Sequence, residues 1–559
     1  MKNMNATAKI LLALLIAFFL GGCTASFLDV NRDPNSPTTP QLAHLLSGSE
    51  YYMAQALGQG SFIGNNLSSY VHHLVSREVQ NYGMSTQANN PFNTWRYAYT
   101  YALVNFDAII EHAAPEGNLI YAGIAKTLKA YTFSVMVDLW GDIPYSEFNI
   151  PGLVAPHPDR SADIYNSLIA LLEEARANLG DAAAPNTQTP GSDDFFYGGN
   201  AKKWARLNNT ITLKLLLQSR KAKSEVSAWQ EKLSSLMAED NFIASDDDFQ
   251  FWFSEKTSPA DQRHPAYIEE YDGGQVKYYI SPFFYEMMKG QAHNATQNPL
   301  AGIEDPRIPY YFYSQLAPDG TPEGKYEYRN GTFLSIFFAS KGPNAANSLD
   351  KSLTRIGVYL CGGKYDDGKG GALTGYSAGN GCAPHKMLTF YALKFMLAEL
   401  ALAGETSGSA RTLFKEAVDA AIAHVNSVAA KQPGVPPISA AARSAFTDAL
   451  LAKFDTAGNA AKMQLVMTQK WIANVFNPVD AYTDYRRTGY PLLFDPQKTS
   501  DPGYGVNPTV TTDSPWRVPI EVIAPFPRSL YYPVAAETEL NPNMMQKTDL
   551  SAKLLFWDK

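Results

Sequence analysis

Gly375-Tyr376-Ser377-Ala378-Gly379 has the G-x-S-x-G spacing of a nucleophile elbow, in which a strained strand-to-helix turn exposes a serine for acyl transfer. The elbow needs a strand before it and a helix after it. Here Asp366-Asp367-Gly368-Lys369-Gly370-Gly371 precedes and Asn380-Gly381-Cys382-Ala383-Pro384 follows, so the flanks predict a glycine loop and not a hydrolase. Gly357, Gly362, Gly363 and Lys364 come close to a phosphate-binding loop, but the lysine stands one place late and no Ser or Thr follows it. His72-His73, with Glu78 nearby, lacks the spacing that sets two imidazoles on one metal and is expected to be a partly exposed helix pair. Asp366, Asp367 and Gly368 could offer oxygens to a structural calcium ion. They fall short of a twelve-residue calcium loop, so a solvated turn is the plainer expectation. Cys361 and Cys382 have no histidines at ligand spacing and do not make a zinc site. The paired carboxylates of a glycosidase are set by a distance in space that a sequence does not give. Nothing in the sequence compels catalysis, and no cofactor is expected.

Binding is better represented. The chain has 32 Tyr, 29 Phe and 8 Trp among its 559 residues. Tyrosine joins a flat apolar face to a polar tip and so suits recognition surfaces as well as helix packing. The stretch Asn81–Tyr97 places Tyr82, Phe92 and Trp95 in an amide-rich loop just before a helix. A pyranose has an apolar C–H face and a rim of hydroxyls, which a ring beside amides and an arginine can hold. Asn89, Asn90, Asn93 and Arg77 are candidates for the polar part. Trp95 also starts a helical stripe, so for that residue platform and core are equally good readings.

The elements that must position these residues are mainly helices. Trp95, Tyr99, Leu103, Phe106 and Ile110 fall on one helical face. So do Ile124, Leu128, Tyr131 and Val135, in a segment that stops at Gly141-Asp142-Ile143-Pro144. A third stripe is Ile164, Leu168, Leu171, Leu172, Ala175 and Leu179, closed by Gly180. A fourth is Trp204, Leu207, Ile211, Leu215 and Gln218. From about Asp246 to His385 the periodicity fades among Gly, Pro, Asn, Asp and Tyr, predicting long loops and short strands. Helices return over 387–404 and 410–430 and again over 460–476, before a Pro-rich tail from Gly489. Helices of this length must pack on one another to persist. Their pairing suggests a tetratricopeptide-like scaffold, although no clean 34-residue repeat is present.

The N-terminus bears on location. Lys2 and Lys9 precede the apolar run Ile10–Leu20, which is shorter than the roughly 20 residues needed to span a bilayer. It ends at Leu20-Gly21-Gly22-Cys23 and resembles a lipoprotein signal cleaved before a lipidated Cys23. Residues 1–22 would then be removed, moving the formal charge from −8 to about −10. No Lys/Arg-rich run stands out, so nucleic acid is not an expected partner. An exported compartment permits a disulfide between Cys361 and Cys382, the alternative being two buried free thiols.

Motifs along the chain carry a resemblance. The candidate mature start Phe27-Leu28-Asp29-Val30-Asn31-Arg32-Asp33-Pro34-Asn35-Ser36-Pro37-Thr38 is followed by Val135–Glu147, Asp305–Phe312 and Tyr391–Leu402. Thr468–Pro491 and Pro525–Asn543 come next, and Tyr485-Arg486-Arg487-Thr488-Gly489-Tyr490-Pro491 is the most specific run. In these the chain resembles SusD/RagB-type surface lipoproteins over nearly its whole mature length. The resemblance implies a mostly α fold, with tetratricopeptide-like helix pairs scaffolding a loop-rich ligand face. It implies one domain over 23–559: a helical frame at about 40–245 and 385–490, a ligand region at about 246–385 and a tail at 489–559. It further implies a lipid anchor in the outer membrane, displayed at the cell surface, and non-catalytic capture of an oligosaccharide. The partner it implies is a SusC-like TonB-dependent transporter, with peptide capture as the alternative within the family. The aromatics of the loop before the first tryptophan helix would be the binding residues.

Overall fold

The computed structural model describes residues 41–60, 63–76, 82–83, 89–271, 278–291, 298–322, 326–340, 351–493 and 524–559. Cys23 and Arg77, and with them the candidate signal and mature start, lie outside the described residues. The helices are α1 (Leu42–Leu57), α2 (Ile63–Tyr70), α3 (Asn89–Arg96), α4 (Val104–Ala113), α5 (Leu119–Trp140), α6 (Ser161–Gly180), α7 (Ala201–Gln218) and α8 (Trp229–Glu239). In the centre come the short α9 (Pro265–Tyr271), α10 (Pro282–Lys289), α11 (Ile308–Tyr311) and α12 (Val358–Cys361). Then follow α13 (Phe390–Leu402), α14 (Ala410–Ala429), α15 (Ala440–Thr456), α16 (Asn459–Ala473) and α17 (Pro478–Thr488). A π-helical stretch, Tyr97–Leu103, joins α3 to α4 without a break.

Successive helices pack as pairs. α5 lies on α6 and α6 on α7; later α13 lies on α14, α14 on α15, and α16 returns to α13. α5 is buried on every side, from Tyr121 to Trp140, as a helix at the centre of a bundle must be. The predicted fourth stripe is the buried face of α7, with Trp204, Leu207, Ile211 and Leu215 all inside. Side-chain caps fix several starts: Asn200 accepts from Lys202 and Lys203 N–H, Ser409 from Thr412, and Ser439 from Ala442. This mostly helical, tetratricopeptide-like scaffold is the architecture the periodicity predicts.

The centre holds four two-stranded antiparallel sheets among the described residues. β1 (Leu74–Ser76) pairs with β3 (Tyr278–Ile280), and β2 (Phe249–Trp252) with β8 (Pro384–Leu388). β4 (Phe312–Tyr313) pairs with β7 (Arg355–Ile356), and β5 (Tyr328–Asn330) with β6 (Phe333–Ser335). One predicted boundary moves: Met387 and Leu388 belong to β8, and the helix begins after Thr389, whose side chain accepts from the Ala392 N–H.

The family-like motifs are the buried struts of this frame. In α17, Arg487 forks onto Glu399 of α13 and also reaches Asp484 and Gln218. Arg486 donates to the carbonyls of Asp138 and Arg528, tying α17 to α5 and the C-terminal segment. Gly489, at φ 77°, ends α17 in the left-handed conformation that glycine adopts without strain. Arg307 is wholly buried, paired with Asp305 and bonded to Gln469 of α16. Asp138 of α5 is also buried, and its Oδ1 accepts from the Tyr165 hydroxyl at 2.5 Å and the Trp557 indole N–H at 3.1 Å. Burial pushes its pKa up to about 6, against the opposing pull of the Tyr165 hydroxyl, Lys214 and Arg486.

One expectation is corrected here. His72 and His73 are not a partly exposed helix pair: both are fully buried in the turn after α2, with His72 at φ 57°. His73 stacks on Trp471 at 4.4 Å and its Nε2 meets the Trp471 carbonyl at 3.0 Å, while burial lowers both imidazoles to a pKa of about 3. Cys361 and Cys382 are both free. Cys361 is buried at the end of α12, its thiol 3.7 Å from the Gly357 carbonyl, and Cys382 is half-buried.

Candidate functional site

Of the seven aromatic, amide and arginine candidates, Tyr82 and Trp95 are interior. Tyr82 is 5% exposed, its hydroxyl 2.8 Å from His72 Nε2 and its ring among Tyr70, Phe338 and Phe526. Trp95 is 3% exposed and packs on Tyr99, Trp140 and Tyr532. Its indole N–H donates to Glu537 at 2.7 Å, so its polar tip is satisfied inside the protein. Neither ring presents a face to solvent. Phe92 and Asn93 are half-buried at the start of the helix, and Asn90 lies on its first turn.

From Phe92 and Asn93 an outward stripe continues along α3 and the π-helical stretch through Arg96, Tyr97, Thr100 and Tyr101, of which Arg96 and Thr100 are exposed and the two tyrosines half-buried. Asn93 and Tyr97 stand four apart across the end of α3, and the Tyr97 and Tyr101 rings meet edge-on at 5.3 Å, so the three form a row. α1 lies alongside and adds Tyr51 and Tyr52. Tyr52 stacks on Tyr101 at 4.8 Å between ring centroids and meets Tyr97 edge-on at 5.6 Å. Tyr51, 44% exposed, extends the array to Phe251, and Phe195, 49% exposed, lies beyond. The Arg96 guanidinium sits 5.7 Å from the Tyr97 ring and 5.6 Å from the Tyr101 ring. The face thus offers ring surface and edges, phenol hydroxyls, an amide and a planar five-donor cation, the group types that hold a polyhydroxylated ring. The sequence reading passed over Tyr51, Tyr52, Tyr97 and Tyr101. The i, i+4 spacing of Tyr97 and Tyr101, off the buried Trp95–Leu103 side, was the available signal.

The chemical motifs resolve into turns. From Tyr365 to Ala383 the chain forms neither strand nor helix, so Ser377 is not on an elbow; its hydroxyl accepts from the Thr374 N–H at 3.2 Å. The Lys364 ammonium donates to the Tyr313 hydroxyl at 2.7 Å. The Asp366 carboxylate accepts from the Ser314 and Gly368 N–H groups, both at 2.9 Å. Asp367 accepts from the Lys369 N–H and pairs with its ammonium at 3.0 Å. Both carboxylates act as turn caps, and among the described residues no three His, Cys, Asp or Glu side chains converge in a metal-binding arrangement.

No described helix is long and apolar enough to cross a membrane. Comparison with curated proteins gives no match. Among solved structures, a chitin-binding protein aligns with a TM-score of 0.65 at 21% identity, covering 93% of this chain and all of that one. A SusD homologue from Bacteroides fragilis aligns at 0.62 and 20% identity, over 89% and 94% of the two chains. A chitin-binding SusD homologue from Flavobacterium johnsoniae aligns at 0.60 and 19% identity, over 92% and 98%. These likenesses establish a shared fold. A family model described as starch-binding associating with outer membrane matches residues 34–509, and the chain therefore belongs to this SusD-like family.

Proposed function

We propose that the protein is a lipid-anchored, non-catalytic glycan-binding protein of the outer surface that passes captured oligosaccharide to a SusC-like TonB-dependent transporter. The observation that carries the glycan reading is the half-buried row of Asn93, Tyr97 and Tyr101, flanked by Tyr52 and by the exposed Tyr51 and Arg96. Family membership supports the same reading, as do the chitin-binding relatives of like fold. Cys23 supplies the anchor in this reading, and Phe92 lies at the start of the same helix; Arg77 and Asn90 stay candidates from the sequence alone. The candidate Trp95 packs on the inner side of the same helix, and the candidate Tyr82 belongs to the core around Tyr70, Phe338 and Phe526.

The test is calorimetric titration of soluble protein beginning after Cys23 with chito- and malto-oligosaccharides, followed by mass spectrometry of the recovered sugar. Saturable binding of intact oligosaccharide, weakened in Tyr97→Ala/Tyr101→Ala protein with an unchanged melting temperature, is the expected result. Cleaved sugar, or binding indifferent to both tyrosines, refutes it.

A further inference from the structure

A cavity of about 550 Å³ opens between α13 and α14, its walls including Asp248, Phe390, Lys394, His424, Ser427 and Arg443, with Ala423 at its mouth. None of its walls belongs to the aromatic face, and its size is that of a small-molecule site. The charges around it are unevenly matched. Glu416 pairs with Lys394 at 2.8 Å, and Asp419 with Lys415 at 2.6 Å and Arg443 at 4.0 Å. Asp248 is the exception. Its side chain is only 14% exposed, and Oδ1 accepts from the Phe390 N–H at 2.6 Å. Oδ2 stands 3.6 Å from His424 Nε2, beyond hydrogen-bond reach.

His424 cannot serve as the missing cation. Its Nδ1 meets the Tyr359 hydroxyl at 2.9 Å and its Nε2 meets Gln250 Oε1 at 2.8 Å. Those partners fit a neutral ring, the hydroxyl donating to Nδ1 and Nε2–H donating to the amide oxygen. Asp246 and Asp247 add like charge nearby, and desolvation with that repulsion pushes the Asp248 pKa up to about 7. A largely buried carboxyl group with no cation paired to it, facing a roomy cavity, is the complement of a protonated amine. The rest of the wall suits a hydroxylated body: the half-buried Phe390 ring, the Ser427 hydroxyl, and Lys394 and Arg443 as donors.

We propose that this cavity is a second ligand site that takes an amino sugar, with its ammonium against Asp248 Oδ2 and its ring hydroxyls toward Lys394, Ser427 and Arg443. The site does not depend on the aromatic face. The experiment titrates the mature chain at pH 7.2, where Asp248 is largely ionised and the amine still largely protonated, with glucosamine, N-acetylglucosamine and glucose in turn. Glucosamine is expected to saturate at one per chain, and the two sugars without a free amine to bind at least tenfold more weakly. Asp248→Asn keeps the acceptor for the Phe390 N–H and is expected to weaken glucosamine at least tenfold. Ala423→Trp, at an exposed position on the mouth, is expected to block the site without touching Asp248. Tyr97→Ala/Tyr101→Ala is expected to leave glucosamine binding unchanged, which separates this site from the glycan face. Equal binding of the three sugars, no saturable glucosamine binding, or undiminished binding in the Ala423→Trp protein overturns the proposal.

Discussion

Replacing Asp138 with asparagine is expected to stabilise the protein at neutral pH and to change it far less in acid. Asp138 Oδ1 accepts both hydrogen bonds, from Tyr165 and Trp557, and an asparagine oxygen can accept the same two. What the substitution removes is the ionisation of a buried carboxyl. With a folded pKa of about 6 against 3.8 for the free group, the folded state holds a proton that the unfolded chain has given up between those values. Stability from this group is therefore complete below the unfolded pKa and is lost as pH rises through the folded one. A shift of about 2 units at about 1.4 kcal/mol per unit gives a loss of about 3 kcal/mol by pH 7.5, of which about 1 kcal/mol has developed by pH 4.5. Urea unfolding of both proteins at pH 4.5 and 7.5 should show the variant's advantage growing by about 2 kcal/mol. An advantage that is equal at the two pH values, or that shrinks toward neutrality, would falsify the assignment of a raised pKa to Asp138.

Further outcomes follow from the same packing. Trp95→Ala should destabilise the protein by about 3–5 kcal/mol, measured by denaturant unfolding, because it empties a core site and strips Glu537 of its donor; unchanged stability with lost sugar binding would make Trp95 a contact residue instead. Glu399→Ala leaves the Arg487 guanidinium buried with a weaker set of partners and should cost about 3–5 kcal/mol in the same assay, whereas an exposed pair such as Arg411–Asp455 should cost under about 1 kcal/mol. Thiol labelling of the native protein should reach Cys382 slowly and Cys361 only on unfolding, since burial raises both thiol pKa values and encloses Cys361; a mass two protons lighter under non-reducing conditions would instead reveal a disulfide. For Tyr97→Ala/Tyr101→Ala, oligosaccharide affinity should fall about tenfold, about 1.4 kcal/mol by titration, and undiminished affinity would remove the row from the binding face.

Helices were legible because burial imposes a period of 3.6 on their apolar residues. Trp204, Leu207, Ile211 and Leu215 face inward as their spacing says. The motif arginines were legible as signatures, though their roles were not: Arg487 and Arg307 act through Glu399 and Asp305, and only folding brings Glu399 to Arg487 from 88 positions away. The candidate site was harder to see because tyrosine and tryptophan carry the same composition signal on a surface and in a core. Tyr82 and Trp95 differ from Tyr97 and Tyr101 only in what lies above them, and that is settled by segments far off in sequence, Phe526 and Glu537 among them. The histidine pair failed for a related reason. The Nε2 atoms of the two rings meet the Tyr82 hydroxyl and the Trp471 carbonyl, contacts that no local pattern encodes.

The π-helical stretch Tyr97–Leu103 has a consequence for how such a binding face can diversify. A wide turn holds one residue more than an α-turn and offsets the helix on its two sides by about a hundred degrees. Asn93 and Arg96 lie before it and the buried Phe106 and Ile109 beyond it, so the angle between the Asn93–Arg96 side and the core stripe of α4 depends on that single extra residue. Deleting one residue there would swing the Asn93–Arg96 side around the axis while α4 kept its seat. Length change at one turn is therefore a coarse adjustment for ligand choice, available to a lineage without redesigning the scaffold beneath.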